Sequence, residues 1–315
     1  MSKLKLTVVT PVFNEEQVIG HFYTRTRGVL NSIENIEATI LFVVDRCSDN
    51  TLDVLRNLVV SDPYAKVIAL SSRFGHQMSL LAGIDNALDA DAIIMMDSDL
   101  QHPPELIPKL LANFKLGFDV VYTVRRDTED VGFLRKMSGN LFYRLLGKLS
   151  QVPINANASD FRLISSRVAK ILSTDFQESN MFLRGLFSWM GFQQTGIEYV
   201  AEKRFAGQSK YSFSRMIQLA MAGILSFSTK PLQIGIFVGI SFSALSFVLI
   251  LVAIIKYFVV QSIPNGWTTL VVLLLLFSGI QLIVLGIMGA YIGGIYEEVK
   301  GRPRYIIEEK IPHHE

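Results

Sequence analysis

The chain has 315 residues, enough for one large domain or two ordinary ones, and a net charge of +2 argues against a nucleic-acid partner. Half of it is hydrophobic and only 18% is charged, which excludes a disordered chain, a collagen and a plain soluble protein. Between positions 232 and 296 the only charged residue is Lys256, so the composition reads as a polar head followed by a membrane-embedded tail.

The head alternates short apolar runs with helical stretches. Strands are expected over 6–13, 39–44, 67–70, 92–96 and 120–123, and helices over 16–32, 50–60, 76–90 and 104–115. The last helix opens on Pro103-Pro104, where a missing N–H costs nothing. The apolar run at the N-terminus is too short for a signal peptide and ends in Asn14-Glu15-Glu16, so the head is expected to stay where it was made. A single cysteine, Cys47, makes no internal disulfide and suits a reducing compartment. This alternation gives an α/β fold, a mostly parallel sheet with ligands at the carboxyl ends of its strands.

Beyond the fifth strand, Arg125, Arg126, Arg135 and Lys136 cluster before a stretch, 134–149, with Phe142, Leu145 and Leu149 on one side. A basic amphipathic segment suits a membrane surface, and a solvated charge run is the alternative. A second such stretch, 212–230, spaces Phe213, Met216, Leu219, Ala220, Gly223 and Phe227 by three or four, as in a helix lying in the interface plane. Two apolar runs follow, 232–260 and 268–295, each longer than the ~20 residues that cross a bilayer core. Lys210, Arg215 and Lys230 precede them, and Lys300, Arg302 and Arg304 come after. The positive-inside rule therefore puts both termini in the cytoplasm. Gly235-xxx-Gly239 and Gly289-xxx-Gly293 would let helices approach closely, as in a homo-oligomer. The expected divisions are a head at 1–211, an interfacial helix at 212–230, a two-helix transmembrane hairpin at 231–296 and a cytoplasmic tail at 297–315.

Three familiar chemistries are absent from the head. There is no Gly-x-Gly-x-x-Gly after the first strand, no phosphate-binding Gly-x-x-x-x-Gly-Lys-Ser/Thr and no Gly-x-Ser-x-Gly elbow. The strand ends carry acid instead: Asp45 and Asp49 after the second, and Asp97-Ser98-Asp99 after the fourth. Two carboxylates one residue apart at a strand tip make a hard-oxygen site for Mg²⁺ or Mn²⁺. A solvated turn capping the next helix is the other reading of that triplet. His76, His102 and His313-His314 read as polar surface or helix-start residues.

Six segments then resemble one family. TVVTPVFNEE at 7–16, FVVDRCSDNT at 42–51, RFGHQ at 73–77 and MDSDLQHPPE at 96–105 are similar to family 2 glycosyltransferases of the GT-A (Rossmann-like) fold. SDFRL at 159–163 and RFAGQSKY at 204–211 narrow the resemblance to the polyprenyl-phosphate branch, which includes the dolichyl-phosphate mannose synthases. Two spans after the head resemble the GtrB-type polyisoprenyl-phosphate glucosyltransferases. One departure is Val44, which stands where the family usually has the first of two adjacent aspartates; Arg46-Cys47 replaces the Gly-Ser that follows.

The resemblance implies a nucleotide-sugar site in which Pro11, Asn14 and Glu16 flank the nucleotide, Asp45 accepts from the uracil N3–H and Gln101 lines the pocket. Asp97 and Asp99 would hold Mg²⁺ or Mn²⁺ against the diphosphate, and Asp160 takes the catalytic carboxylate position beside Asp99. Arg204, Ser209 and Lys210 would grip donor phosphate from a closing loop, and Arg125, Arg135 and Ser138 would meet the lipid phosphate. The implied activity is inverting transfer of a hexose from a UDP-sugar, glucose preferred, to polyprenyl (undecaprenyl-type) phosphate. It would take place at the cytoplasmic face of the inner (plasma) membrane and serve cell-envelope glycosylation. Another UDP-sugar, or GDP-mannose, stays open as the donor. An Asp160–Arg162 ion pair is the structural alternative to a catalytic Asp160. A processive polysaccharide synthase would carry Gln-x-x-Arg-Trp, which is absent, and an inactive membrane scaffold would not need the Asp-x-Asp that is present.

Overall fold

The computed structural model describes residues 3–126, 158–178, 181–200, 229–260 and 266–311. The expected amphipathic segment 134–149, and all of 212–230 but its last two residues, lie outside these. So do Arg135, Ser138, Arg204, Ser209 and Lys210.

The chain forms two compact units. The first is built on a sheet with strands β1 Leu4–Val12, β2 Ile36–Val44, β3 Ala65–Leu70, β4 Ala92–Met95, β5 Val120–Arg126, β6 Ala158–Ser165, β7 Gln194–Val200 and β8 Ile307–Ile311. Their order is β7-β5-β6-β4-β1-β2-β3-β8. Pairs β1–β2, β1–β4, β2–β3 and β5–β7 are parallel, whereas β6 and β8 run against their neighbours. The mostly parallel, Rossmann-like sheet expected of a GT-A head is therefore present. β1, β2 and β4 are apolar along nearly their whole length because helices cover both faces, and Val8, Ile40 and Ile94 are fully buried.

The helices are α1 Ile19–Asn31, α2 Thr51–Ser61, α3 His76–Asp85, α4 Ile107–Lys115, α5 Ser166–Thr174 and α6 Leu183–Trp189. Pro104 begins a short 3₁₀ turn, Pro104–Leu106, that runs into α4. α3 lies against β1 so closely that a Cβ on Gly83 would stand 2.1 Å from Val9 Cγ1, so only glycine fits there.

The C-terminal segment completes the sheet. β8 pairs antiparallel with β3, Val67 against Ile311 and Ile68 against Lys310. Arg56 Nη2 donates to Glu309 at 2.7 Å across this edge, and the Ser71 N–H donates to the Ile306 carbonyl. Just before the strand, Arg304 donates to the Phe176 carbonyl and to Asp85, and the Tyr305 hydroxyl donates to Asp85 Oδ2 at 2.7 Å. The α/β unit is thus assembled from both ends of the chain.

The second unit holds α7 Lys230–Val260 and α8 Trp267–Val299, of 31 and 33 residues. Both contain stretches long and apolar enough to cross a membrane. They meet through an edge-on Phe242–Phe277 contact, with centroids 5.6 Å apart, and at Gly235, whose missing Cβ leaves room for Val284. Among the described residues no atom lies within 4 Å of where a Cβ on Gly239, Gly289 or Gly293 would be, so the second glycine pair takes no described part in this helix contact.

Candidate active site

From β1 the chain steps to β2 and β3 on one side, then crosses to β4 on the other, so the sheet reverses its order at β1. Ligands of open α/β sheets bind at the carboxyl ends beside such a switch. Asn14, Asp45 and Asp97 follow the carboxyl ends of β1, β2 and β4 respectively. Pro11 lies in β1, two residues beyond the last β4 pair, where its missing N–H breaks no ladder bond with β4. Its carbonyl accepts from the Ser98 hydroxyl at 3.4 Å.

Asn14 and Glu16 stitch the β1–α1 loop to the β2–α2 loop. Asn14, at φ 55, exchanges bonds with Ser48 through both ends of its amide, and Glu16 Oε2 accepts from the Asn50 N–H at 3.0 Å. The Asn14 N–H also reaches Cys47 Sγ. Asp45 is buried, and its two oxygens accept from the backbone N–H groups of Phe74 (2.7 Å) and Gly75 (2.9 Å). Gly75, at φ 89, takes a conformation that a side chain disfavours and so turns both amides towards one carboxylate.

The turn after β4 is built around His102 and a strained residue. Leu100 sits at φ 61, a left-handed conformation rare for a branched side chain and costing roughly 1–3 kcal/mol. The turn brings Asp99 Oδ1 to accept the Gln101 N–H at 3.1 Å and folds the His102 ring beneath Asp97. His102 Nδ1 accepts the Asp97 N–H at 3.2 Å, which leaves the ring proton on Nε2, 2.8 Å from Ser159 Oγ. The ring is buried and stacks on Phe161, so it ties the acidic turn to β6. His76, first residue of α3, places Nε2 2.7 Å from Asp97 Oδ1. Loss of hydration lowers the His76 pKa, but the charge of Asp97 and the hydrogen bond to it outweigh this and bring it up to about 9. Burial works to raise the Asp97 carboxyl, and His76, through its charge and its hydrogen bond, holds it below its ordinary range instead.

β6 carries Asp160 to the same place. Met95 pairs with Arg162, and the same antiparallel count, taken two residues further, sets Asp97 opposite Asp160. Arg184 of α6 donates Nε and Nη2 to the two oxygens of Asp160, both at 2.7 Å. Arg162 lies 3.9 Å away and spends Nη2 on the Ser159 carbonyl, with its guanidinium over the Phe187 ring. Burial opposes ionisation of Asp160, but the charge of Arg184 and its hydrogen bonds outweigh that and hold the carboxyl well below the carboxylate range. Burial also pulls Arg162 down to about 10, against the raising charge of Asp160.

Asp45, Asp97, Asp99 and Gln101 thus follow the carboxyl ends of β2 and β4, Asp160 lies on β6 level with Asp97, and Arg125 stands exposed at the end of β5 beside β7. Among the described residues no group of three or more His, Cys, Asp or Glu side chains is arranged to hold a metal. The donors on offer, Asp97 and Asp99, suit a hard cation that keeps water and takes its remaining ligands from substrate phosphates. Three features escaped the sequence reading. His102 is buried, because its two ring nitrogens have defined partners. His76 meets Asp97, and the one available signal was its position just past a strand tip. Arg184, and not Arg162, is the main partner of Asp160, and no spacing signal connects residues 24 apart.

The model of the glycosyl transferase family 2 matches residues 7–172. An uncharacterized glycosyltransferase, YkcC, of Bacillus subtilis (strain 168) is 41% identical over 97% of this chain and 94% of its own length. The SfII prophage-derived bactoprenol glucosyl transferase of Shigella flexneri is 38% identical over 97% of this chain and 98% of its own length. Among solved structures, a glucosyl-3-phosphoglycerate synthase from Mycobacterium tuberculosis in complex with Mn²⁺, UDP-glucose and phosphoglyceric acid gives a TM-score of 0.46 at 16% identity, covering 71% of this chain and 79% of that one. The family model takes in the strand tips and acidic turn just described, and the relatives extend the match over nearly the whole length. The chain belongs to the glycosyl transferase family 2 and is a glycosyltransferase.

Proposed function

We propose that the chain transfers glucose from UDP-glucose to a polyprenyl phosphate of the undecaprenyl type, with inversion, at the cytoplasmic face of the membrane. The observation that carries the reading is the acidic turn Asp97-Ser98-Asp99 at the end of β4, with Asp160 of the neighbouring β6 level with Asp97. The names of relatives such as the Shigella bactoprenol glucosyl transferase support the choice of sugar and acceptor.

In this reaction an oxygen of the acceptor phosphate attacks the anomeric carbon, the bond from that carbon to the UDP oxygen breaks, and UDP leaves with the electron pair. A phosphate monoester has its second pKa near ~6, so the acceptor arrives largely ionised and needs no strong base. A carboxylate held low by Arg184 suits that role: Asp160 orients the reactants and does not remove a proton. Asp97 and Asp99 would hold Mg²⁺ or Mn²⁺, which would supply positive charge for the departing diphosphate. Asp45 keeps acceptor capacity for the base, and Asn14 and Glu16 fix the loops that flank it. Arg125, Arg135 and Ser138 meet the lipid phosphate, and Arg204, Ser209 and Lys210 the donor phosphates.

Pairing of β3 with β8 supports the topology. Both strands must lie on one side of the membrane, which calls for an even number of crossings between residues 70 and 307, and α7 with α8 supply two. The basic residues flanking the helices support the cytoplasm as that side.

Membranes carrying the protein, given polyprenyl phosphate and a panel of radiolabelled UDP- and GDP-sugars, should label the lipid from UDP-glucose. Labelling from GDP-mannose alone would overturn the choice of donor.

A further inference from the structure

We propose that His76 is a latch on Asp97: its imidazole holds the carboxylate that a divalent cation needs, and cation and donor bind as the ring lets go. This rests on the reading of Asp97 and Asp99 as cation ligands.

The geometry is specific to one oxygen. His76 Nε2 lies 2.7 Å from Asp97 Oδ1, while His102 Nδ1 already accepts the Asp97 N–H and has no proton to offer the carboxylate from 3.8 Å. An imidazole N–H and a divalent cation compete for the same negative charge, so binding the cation must displace or weaken the His76 contact. Only the side chain has to move. Its backbone is held on one side by Gly75, whose N–H is bonded to Asp45, and on the other by Gln77, whose Oε1 accepts the Leu183 N–H at 3.3 Å. The His76 side chain is 41% exposed, which leaves it room to turn away.

The same segment touches both ends of the donor site. Asp45, the residue expected to meet the nucleobase, holds Phe74 and Gly75, and the very next residue holds Asp97. A nucleotide that settles against Asp45 therefore bears directly on the backbone from which the latch swings. In the empty site the latch would hold the Asp97 carboxylate in place and make a cation by itself a weak ligand.

The test uses the full-length chain in detergent micelles, titrated with Mn²⁺ alone and read by the electron paramagnetic resonance of unbound Mn²⁺. Losing a charge-assisted hydrogen bond from a partly exposed site should tighten Mn²⁺ binding in His76→Ala by on the order of tenfold. His76→Gln, which can still donate a neutral hydrogen bond, should fall between the variant and the parent chain. Adding Asp97→Asn should abolish the gain. Equal or weaker Mn²⁺ binding in His76→Ala, with Asp97→Asn still losing it, overturns the latch and leaves the cation site standing. Binding that Asp97→Asn does not disturb overturns the assignment of Asp97 and the latch with it. Failure of both the parent chain and His76→Ala to bind Mn²⁺ also overturns the latch, because releasing the carboxylate should uncover affinity.

Discussion

Arg184 closes on Asp160 with two parallel N–H···O bonds of 2.7 Å, one to each carboxylate oxygen. Such a fork-to-fork pair fixes the plane of the carboxylate as well as its charge. Arg184 sits in the first turn of α6, a helix held by the buried Leu183, Leu186 and Phe187, so the orientation of Asp160 is inherited from the core. The pair makes Asp160 a fixed anion in the crevice, which suits an acceptor that arrives already ionised.

Replacing Arg184 by Ala should leave a buried carboxylate that keeps, among the described residues, the charges of His76 and Arg162 but no bidentate partner. Breaking a buried pair costs about 3–5 kcal/mol, and the partial exposure of Arg184 reduces this to about 2–3 kcal/mol. The folded carboxyl titrates below the unfolded one. The stability from the clasp is therefore fully present above about pH 4 and is lost only as pH falls below that. Thermal unfolding should show a deficit for Arg184→Ala that is constant from pH 5 to 8. The turnover of Arg184→Ala should also acquire an acid limb at higher pH than the parent chain, as Asp160 relaxes towards an ordinary carboxylic acid. Arg184→Lys should recover part of the stability and little of the turnover, since a point charge cannot hold both oxygens.

The five strands and four helices of the N-terminal half were legible because each central strand is buried on both faces and reads as an unbroken apolar run between turn residues. Asp97 and Asp99 were legible for the related reason that a buried strand ending in acid points to the crevice. β8 was not. Its sequence, IEEKI, is mostly exposed and charged, because an edge strand is bonded on one side only and its charges discourage further pairing. The clasp on Asp160 was equally silent, since an arginine in a short helix looks the same whether it faces water or a carboxylate.

Asp99→Ala should lower transfer at least a hundredfold while the protein stays folded, because the charge of the departing diphosphate then loses one of two carboxylates arranged to hold its counter-cation. EDTA should do the same to the parent chain, with recovery on adding Mg²⁺ or Mn²⁺. Lipid-linked radioactivity gives the readout and far-UV circular dichroism the control. Full activity in EDTA would remove the cation from the reaction.

Gly83→Ala should destabilise the α/β unit without touching the site. The new methyl would lie 2.1 Å from Val9 Cγ1, against a strand held between β2 and β4. Overpacking of this kind costs typically about 1–3 kcal/mol. Val9→Ala should recover part of the loss in Gly83→Ala although it destabilises the parent chain, a non-additivity that thermal unfolding of the four proteins would measure.

A head cut off after Lys230 should be a poor surrogate for the catalytic unit, because it lacks β8. Removing residues 302–315 leaves β3 as an open edge with unpaired backbone groups, a template for association between chains. It also strips Asp85 of Arg304 and Tyr305. Among the described residues Asp85 Oδ1 is already buried without a partner, so the carboxylate would lose the two groups that hold its other oxygen. Those contacts reach α3 through Asp85 and the α5–α6 connection through Phe176, so the damage should spread to the elements that carry His76 and Arg184. A protein ending at Lys230 should therefore unfold at lower temperature and self-associate. A synthetic peptide of residues 302–315, added in trans, should raise its unfolding temperature and restore UDP binding by calorimetry, by supplying the missing strand. The same peptide with Arg304 and Tyr305 both changed to Ala should do less, since it keeps the strand and loses the anchor. A truncated head that is monomeric, folded and unresponsive to the peptide would show that β8 rests on the sheet without supporting it.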